Sequence, residues 1–205
     1  MNDFFGLLDK WRHFPAFPLE ARSEVFFALF LPTVLESHFK KDGVKIKPQV
    51  IPQFPLKKED NNQSNNVDFF ALSDNGECAF LIELKTDMAS ISKEQACYLK
   101  RAMKKDVDET LADITKISQR SEQKEKYRHL LSALRELEAD LPKLRIKPEV
   151  VYIQPRPCKK NKVDGFKYIY FAEFAEIVES QGDMGGLFAG YLRKWRENPA
   201  KSPPR

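Results

Sequence analysis

Residues 67–85, VDFFALSDNGECAFLIELK, contain two apolar runs separated by a polar turn, and they decide the predicted fold. Asn75-Gly76 between alternating apolar segments is a strong signal for a tight hairpin turn. We therefore predict two antiparallel strands, over residues 67–72 and 78–84, with Asn75 and Gly76 as a two-residue loop. In that register Phe70 lies opposite Leu81.

The same hairpin is predicted to gather three charged residues at one end. Continuing the register sets Asp68 opposite Glu83 as a direct cross-strand neighbour. Side chains alternate along a strand, so Lys85 points to the same face as Glu83. A shift of the loop by one residue would move Asp68 opposite Leu81 but would keep the three charged side chains on one face.

This arrangement of charges is typical of a metal site. Two converging carboxylates repel each other unless a cation lies between them. Mg²⁺ or Mn²⁺ suits such oxygen ligands and usually takes one or two carboxylates with water and phosphate. We predict Asp68, Glu83 and the backbone carbonyl of Leu84 as ligands, with Lys85 positioning a water or stabilising developing charge. The alternative is a surface ion-pair cluster, although charges on an apolar central strand are costly.

The motif Val67-Asp68, followed by Ile82-Glu83-Leu84-Lys85, resembles the PD-(D/E)xK nuclease superfamily, which includes restriction endonucleases and Holliday-junction resolvases. The resemblance covers residues 19–105, and Val67 stands where the family has proline. It implies a restriction-endonuclease-like fold and a Mg²⁺- or Mn²⁺-dependent nuclease that hydrolyses DNA, with Asp68, Glu83 and Lys85 catalytic. The alternative is a catalytically silent module of the same fold that binds nucleic acid or a protein.

The resemblance also implies accessory residues. The family often adds an acidic residue from the first helix, and Glu24 is our choice, with Glu20 and Glu36 as alternatives. Some members carry a glutamine on the helix after the lysine strand, and Gln95 fits that role. The related pattern has a tyrosine where this chain has Leu99. Structural roles remain open for both, as a helix-dipole carboxylate for Glu24 and a satisfied amide for Gln95.

The rest of the chain predicts a mixed α/β domain with a central sheet flanked by helices. A short N-terminal helix precedes a second one over about residues 19–39, which is apolar on nearly all sides and so expected to be buried on more than one face. A first strand is predicted within residues 44–51, near a sheet edge because prolines surround it. Helical periodicity runs from Ser92 to Ile117, and a charged helix follows to Leu141.

We expect residues 1–197 to form a single domain, with residues 92–141 as a helical insertion and residues 198–205 as a flexible tail. The three cysteines are widely spaced, which indicates a reducing, cytoplasmic environment. The sequence shows neither a signal peptide nor an apolar stretch long enough to span a bilayer, so we expect no membrane partner.

Two basic clusters are candidate DNA contacts. The net charge of +4 permits nucleic-acid binding through local clusters without requiring it. The candidates lie on the helix after the hairpin and in a later loop: Lys100, Arg101, Lys104, Lys105, Arg156, Lys159 and Lys160. The alternative for each cluster is a solvated surface. Helices within residues 92–141 are also a candidate surface for a homodimer or a protein partner.

Overall fold

The computed structural model describes residues 2–40, 43–58, 63–87, 92–139, 141, 143–159 and 162–199. The chain divides into two compact units. The first comprises Met1–Gly43, Glu83–Ile91 and Val151–Arg205, and the second comprises Val44–Ile82 and Ser92–Val150. The mixed α/β class is confirmed, whereas the restriction-endonuclease-like fold and the single domain over residues 1–197 stay predictions.

Five strands form one mixed sheet. They are β1 (Ile51–Lys57), β2 (Ser64–Leu72), β3 (Ala79–Leu84), β4 (Glu149–Gln154) and β5 (Lys167–Tyr170). The strand order is β1-β2-β3-β4-β5. β2 pairs antiparallel with both β1 and β3, while β4 and β5 are parallel.

The predicted register of the β2–β3 hairpin is confirmed. Leu72 pairs with Ala79, and the ladder continues to the pair Phe69 and Ile82. All residues of β3 are buried, as are the last six residues of β2. The apolar alternation and the position of Asn75-Gly76 were therefore enough to align the two strands.

The turn itself differs from the predicted two-residue loop. Gly76 N donates to Ser73 O at 3.0 Å, and Ser73 N donates to Cys78 O at 2.9 Å, so the strands are joined by a longer turn. Gly76 has a φ of 71°, a left-handed conformation that glycine adopts without steric cost. The side-chain oxygen of Asn75 accepts from Glu77 N at 3.1 Å and stabilises this longer form.

The first strand lies further along the chain than predicted. Residues 44–47 form only an isolated bridge, between Ile46 and Ser73, and the strand proper is β1. β1 contains Pro52 and Pro55, and it is the first strand of the sheet order. The expected edge position is therefore confirmed, because proline is tolerated where no further strand needs its N–H.

The first unit contains four of the described helices: α1 (Asn2–Trp11), α2 (Leu19–His38), α6 (Phe171–Val178) and α7 (Gly182–Glu197). Its core is aromatic, with the ring of Phe188 5.1 Å from that of Phe27 and 5.6 Å from that of Phe5. The expected burial of α2 on more than one face is wrong in part. Val25 and Leu29 are 66% and 59% exposed on its outer side.

The second unit contains α3 (Lys93–Ala102), α4 (Val107–Arg120) and α5 (Lys124–Glu138). The segment is helical as expected, but the single helix expected from Ser92 to Ile117 is broken after Ala102, and its status as an insertion stays a prediction. Asp106 begins the new helix, and its N–H donates to the Glu109 carboxylate at 3.1 Å in a capping box. Within the parts of the chain that the structure describes, no helix is both long and apolar enough to cross a membrane.

Candidate functional site

The Glu83-Leu84-Lys85 segment lies at the end of β3, in the first unit. Glu83 is only 3% exposed, although it carries a carboxylate. Lys85 follows the strand directly, and its N–H donates to Ile153 O of β4 at 2.8 Å. The lysine side chain therefore starts from a backbone position that a neighbouring strand fixes.

The Lys85 ammonium is surrounded by oxygen atoms. Its Nζ atom lies 3.1 Å from Glu83 Oε1, 3.1 Å from Glu20 Oε1 and 2.9 Å from the backbone oxygen of Leu84. An ammonium has three N–H donors, so each has an acceptor within the protein. Glu83 and Lys85 are thus on the same side of the chain, as the alternation of β3 predicts.

Burial makes the charge pair of Glu83 and Lys85 energetically important. Their side chains are 4% and 15% exposed, so water screens the pair only weakly. Removing one partner of a buried ion pair typically costs about 3–5 kcal/mol, because the other charge stays buried. Glu20 is 33% exposed, and its pairing with Lys85 contributes less for that reason.

Glu20 is a carboxylate of the first long helix that reaches Lys85, with its Oε1 atom 3.1 Å from Nζ. Glu20 lies in the first turn of α2, which begins at Leu19 as predicted. Glu24 is one turn further along the same side of the helix and is half-buried. The sequence located both residues near the start of the helix. It could not show where the start of the helix would lie relative to Lys85. The role of Glu24 stays a prediction.

Asp68 lies on β2, in the second unit, and is 9% exposed. The β2–β3 ladder is observed as far as Phe69 and Ile82, one residue short of Asp68 and Glu83. The predicted pairing of Asp68 with Glu83 therefore stays a prediction. Buried carboxylates require hydrogen bonds or a counter-charge, so burial at Asp68 fits a specific role better than a solvated surface.

Gln53 is a residue near Asp68 that the sequence did not single out. On β1 it lies between Pro52 and Phe54, whose partners Phe69 and Val67 flank Asp68 on β2. The φ angle of Gln53 is 49°, a left-handed conformation that costs a residue with a side chain about 1–2 kcal/mol. Backbone strain of this kind concentrates at functional sites. Residue type alone gave no signal for it.

Gln95 and its helix are located as predicted. Gln95 is half-buried on α3, on the face of the helix that includes the buried residues Leu99 and Ala102. Its backbone N–H donates to the hydroxyl of Ser92, the N-cap of α3, at 3.0 Å. That bond is made by the backbone and does not depend on the glutamine side chain, whose role in catalysis stays a prediction.

The predicted basic residues occur in both units. Lys100 and Lys104 are exposed in the second unit, where Arg101 and Lys105 are half-buried and line a cavity. Arg156 and Lys159 are exposed in the first unit. Lys160 lies outside the described residues. Contact of any of these side chains with DNA stays a prediction.

The oxygen atoms around Lys85 determine which kind of ligand could bind there. Glu20, Glu83 and the Leu84 carbonyl offer oxygen atoms within hydrogen-bonding reach of one position. In the described parts of the chain, no group of three or more His, Cys, Asp or Glu side chains is arranged to hold a metal ion. Two carboxylates and a carbonyl are nevertheless a common partial shell for Mg²⁺, which retains several waters.

Comparisons with known proteins do not assign this chain to a family. No family model matches it, and neither a curated protein nor a solved structure is significantly similar to it. The chemistry of the site must therefore be inferred from the chain's own residues.

Proposed function

We propose that this protein is a Mg²⁺- or Mn²⁺-dependent nuclease of the PD-(D/E)xK type that hydrolyses DNA phosphodiester bonds. The observation that carries the proposal is the Lys85 ammonium, held by Glu83, Glu20 and the Leu84 carbonyl at 2.9–3.1 Å. The order of elements is compatible with a restriction-endonuclease-like core, since α2 precedes the β1–β3 meander and α3 follows it.

The residues present fit a hard divalent cation. Glu83, Glu20 and the Leu84 carbonyl would hold it, together with Asp68 if the predicted pairing is correct. These oxygen atoms now surround an ammonium, so the same electrostatic environment already stabilises positive charge. A bound divalent ion would make water more acidic and neutralise charge on the phosphate.

Lys85 has the central role in the proposed mechanism. With Glu83 and Glu20 as ligands of the cation, the Lys85 ammonium would be available to donate to a water or to a non-bridging phosphate oxygen. It would thereby orient the attacking water and stabilise the charge that develops in the transition state. Its backbone bond to Ile153 O limits the positions that the ammonium can reach.

The burial of Glu83 supports a second part of the mechanism. Because Glu83 is 3% exposed, its carboxylate is already desolvated and has few positions available to it. Glu20 is more exposed and can adjust as the substrate approaches. The two carboxylates would then act differently, Glu83 as a fixed anchor and Glu20 as an adaptable one.

The alternative is a catalytically silent module that binds nucleic acid or a protein. The same three contacts are compatible with it, because they pair the Lys85 ammonium with acceptors within the protein. A lysine in that state acts as a structural counter-charge to Glu83. The alternative predicts no dependence of stability on divalent ions and no cleavage of DNA.

The test combines metal binding with cleavage. We expect the parent protein to bind Mn²⁺ in a calorimetric titration and to cleave single-stranded, duplex or branched DNA when Mg²⁺ is added. Lys85→Ala should bind Mn²⁺ at least as well as the parent, because a nearby positive charge is removed, but should not cleave. Asp68→Asn should weaken both Mn²⁺ binding and DNA cleavage, because it removes the negative charge of a proposed metal ligand.

A matched control separates these effects from a general loss of positive charge. Lys40 is an exposed lysine of the same unit, so Lys40→Ala should cleave and bind Mn²⁺ like the parent. A parent protein that neither binds Mn²⁺ nor cleaves any form of DNA would establish the silent module. A Lys85→Ala protein that cleaves as fast as the parent would show that the lysine is not catalytic.

A further inference from the structure

The second unit contains a cavity of about 180 Å³ with several basic side chains in its lining. Lys57 and Lys58 come from the end of β1 and the residue after it, and Arg101 and Lys105 come from the end of α3 and the turn after it. Tyr98, half-buried on α3, also contributes to the lining. Residues far apart in sequence therefore meet at one small concave surface.

The backbone on both sides of the cavity is anchored. Lys57 pairs with Ser64 at the end of the β1–β2 ladder, and Lys58 N donates to Gln63 O at 2.9 Å. On the other side, Lys105 N donates to Ala102 O at 3.2 Å in the turn that ends α3. The basic side chains thus extend from fixed positions, which lowers the entropy lost when they bind a ligand.

The described side chains that line the cavity carry a net positive charge. Among the residues that the structure describes, its lining has four basic side chains, Lys57, Lys58, Arg101 and Lys105, and two acidic ones, Glu94 and Asp113. Glu94 is exposed, so solvent screens its charge. Lys105 Nζ lies 2.9 Å from Asp113 Oδ2 and is partly neutralised there. The remaining excess of basic groups favours an anion.

The ion pair with Asp113 fixes the position of the Lys105 side chain in the lining of the cavity. Burial tends to raise the pKa of Asp113, but hydrogen bonds from Lys105 and Lys116 outweigh it and lower the pKa below its ordinary value. The carboxylate is therefore ionised at neutral pH and holds Lys105 beside Arg101 and Thr110 in the lining.

We propose that this cavity binds the phosphate group of a nucleotide, with the Tyr98 ring as a stacking surface for the base. Phosphate is recognised by converging lysine and arginine donors. Aromatic side chains stack on bases of any type. Pockets for complete drug-sized ligands usually measure about 300–1,000 Å³, so a cavity of 180 Å³ accommodates the phosphate and leaves part of the nucleoside outside.

The site lies in the second unit and does not depend on the proposed nuclease activity. The test is therefore a calorimetric titration of the full chain in EDTA, where metal-dependent cleavage cannot occur. We expect deoxyadenosine 5′-monophosphate to bind, and inorganic phosphate to bind about tenfold more weakly because it cannot stack on Tyr98. Deoxyadenosine, which lacks the phosphate, should give no measurable heat of binding.

Variants locate the site. We expect Lys57→Ala combined with Lys58→Ala to weaken nucleotide binding by about tenfold or more, and Arg101→Ala to do so independently. Tyr98→Phe should keep most of the affinity for the nucleotide, whereas Tyr98→Ala should reduce it to that for inorganic phosphate. Lys124→Ala removes an exposed lysine of the same unit outside the cavity lining and should bind like the parent.

Several results would overturn the proposal. Equal affinities for inorganic phosphate and the nucleotide would show a general anion site without base recognition. A loss in Lys124→Ala as large as that in Arg101→Ala would show non-specific charge attraction. Absence of nucleotide binding to the folded parent at about 10 mM ligand would exclude a useful site, since millimolar dissociation constants already represent weak binding.

Discussion

The Nζ atom of Lys85 lies 3.1 Å from Oε1 of Glu83, and the two side chains are 15% and 4% exposed. Neither charge has much access to water, so each depends on nearby polar groups for stabilisation, and those around Lys85 include Glu20 as well as Glu83. The apolar residues that precede them on β3 offer no other charge. Loss of one partner should consequently cost more stability than loss of both.

A double-mutant cycle at this pair tests that dependence. In EDTA we expect Lys85→Met to lower the free energy of unfolding by about 3–5 kcal/mol, because it removes a positive charge that lies 3.1 Å from the buried Glu83 carboxylate. Adding Glu83→Gln should restore at least half of the loss. Urea unfolding followed by circular dichroism measures all four proteins. Strictly additive losses would show that the two charges are stabilised independently.

The two acidic residues at the start of α2 provide a matched comparison. We expect Glu20→Gln to reduce both Mn²⁺ affinity and DNA cleavage by about tenfold or more, because its carboxylate reaches the Lys85 position. Glu24→Gln, one turn away on the same helix, should change either quantity much less. Titration and cleavage rates at saturating Mg²⁺ decide between them. A larger effect of Glu24→Gln than of Glu20→Gln would assign the role of metal-site carboxylate to Glu24.

The strained backbone at Gln53 leads to a prediction about stability. Gln53→Gly should raise the free energy of unfolding by about 0.5–1 kcal/mol, because glycine adopts a positive φ without the clash of a Cβ atom. Ala16→Gly, at a φ of 60° in the turn before α2, is the control for strain relief elsewhere. Only Gln53→Gly should alter cleavage, since Gln53 lies beside the strand that carries Asp68. A loss of stability in Gln53→Gly would show that its side-chain contacts outweigh the strain.

Glu138 gives a prediction about pH. Burial raises the pKa of Glu138, as does repulsion from Asp108, while Arg135 opposes the change. An acid with a raised pKa in the folded state contributes stability below its unfolded pKa of 4.5 and loses that contribution as the pH rises through the folded value. Glu138→Gln should therefore raise the melting temperature at pH 7 and have little effect at pH 3.

The control for this pH effect is Glu136→Gln, an exposed residue of the same helix. Its melting temperature should follow that of the parent at both pH values. If Glu138→Gln stabilised the protein equally at pH 3 and pH 7, the gain would come from helix propensity or packing instead of the ionised carboxylate.

The elements that the sequence predicted correctly depend on local patterns. The β2–β3 register follows from apolar alternation around Asn75-Gly76, and the start of α2 at Leu19 follows from the prolines before it. The turn geometry was wrong because hydrogen bonds from Ser73 and Glu77 to the Asn75 side chain stabilise a longer loop. Periodicity alone also missed the break before Asp106, because the apolar spacing resumes in α4.

The parts of the candidate site that the sequence missed depend on contacts between distant residues. Glu20 and Lys85 are 65 residues apart, and only the tertiary structure brings their charges together. Lys57 and Arg101 likewise meet through the arrangement of β1 and α3. The strain at Gln53 comes from its backbone φ angle, which its residue type does not reveal.

The prolines of β1 have a consequence for assembly. β1 is the first strand of the sheet order, so its outer side is where another chain could add a strand. Backbone N–H groups of a strand point alternately to its two sides, so of Pro52 and Pro55, three residues apart, one lacks an N–H group that such a ladder would need. A strand added along this edge would lose a hydrogen bond of its ladder at that proline, which disfavours association of copies of the chain through this strand.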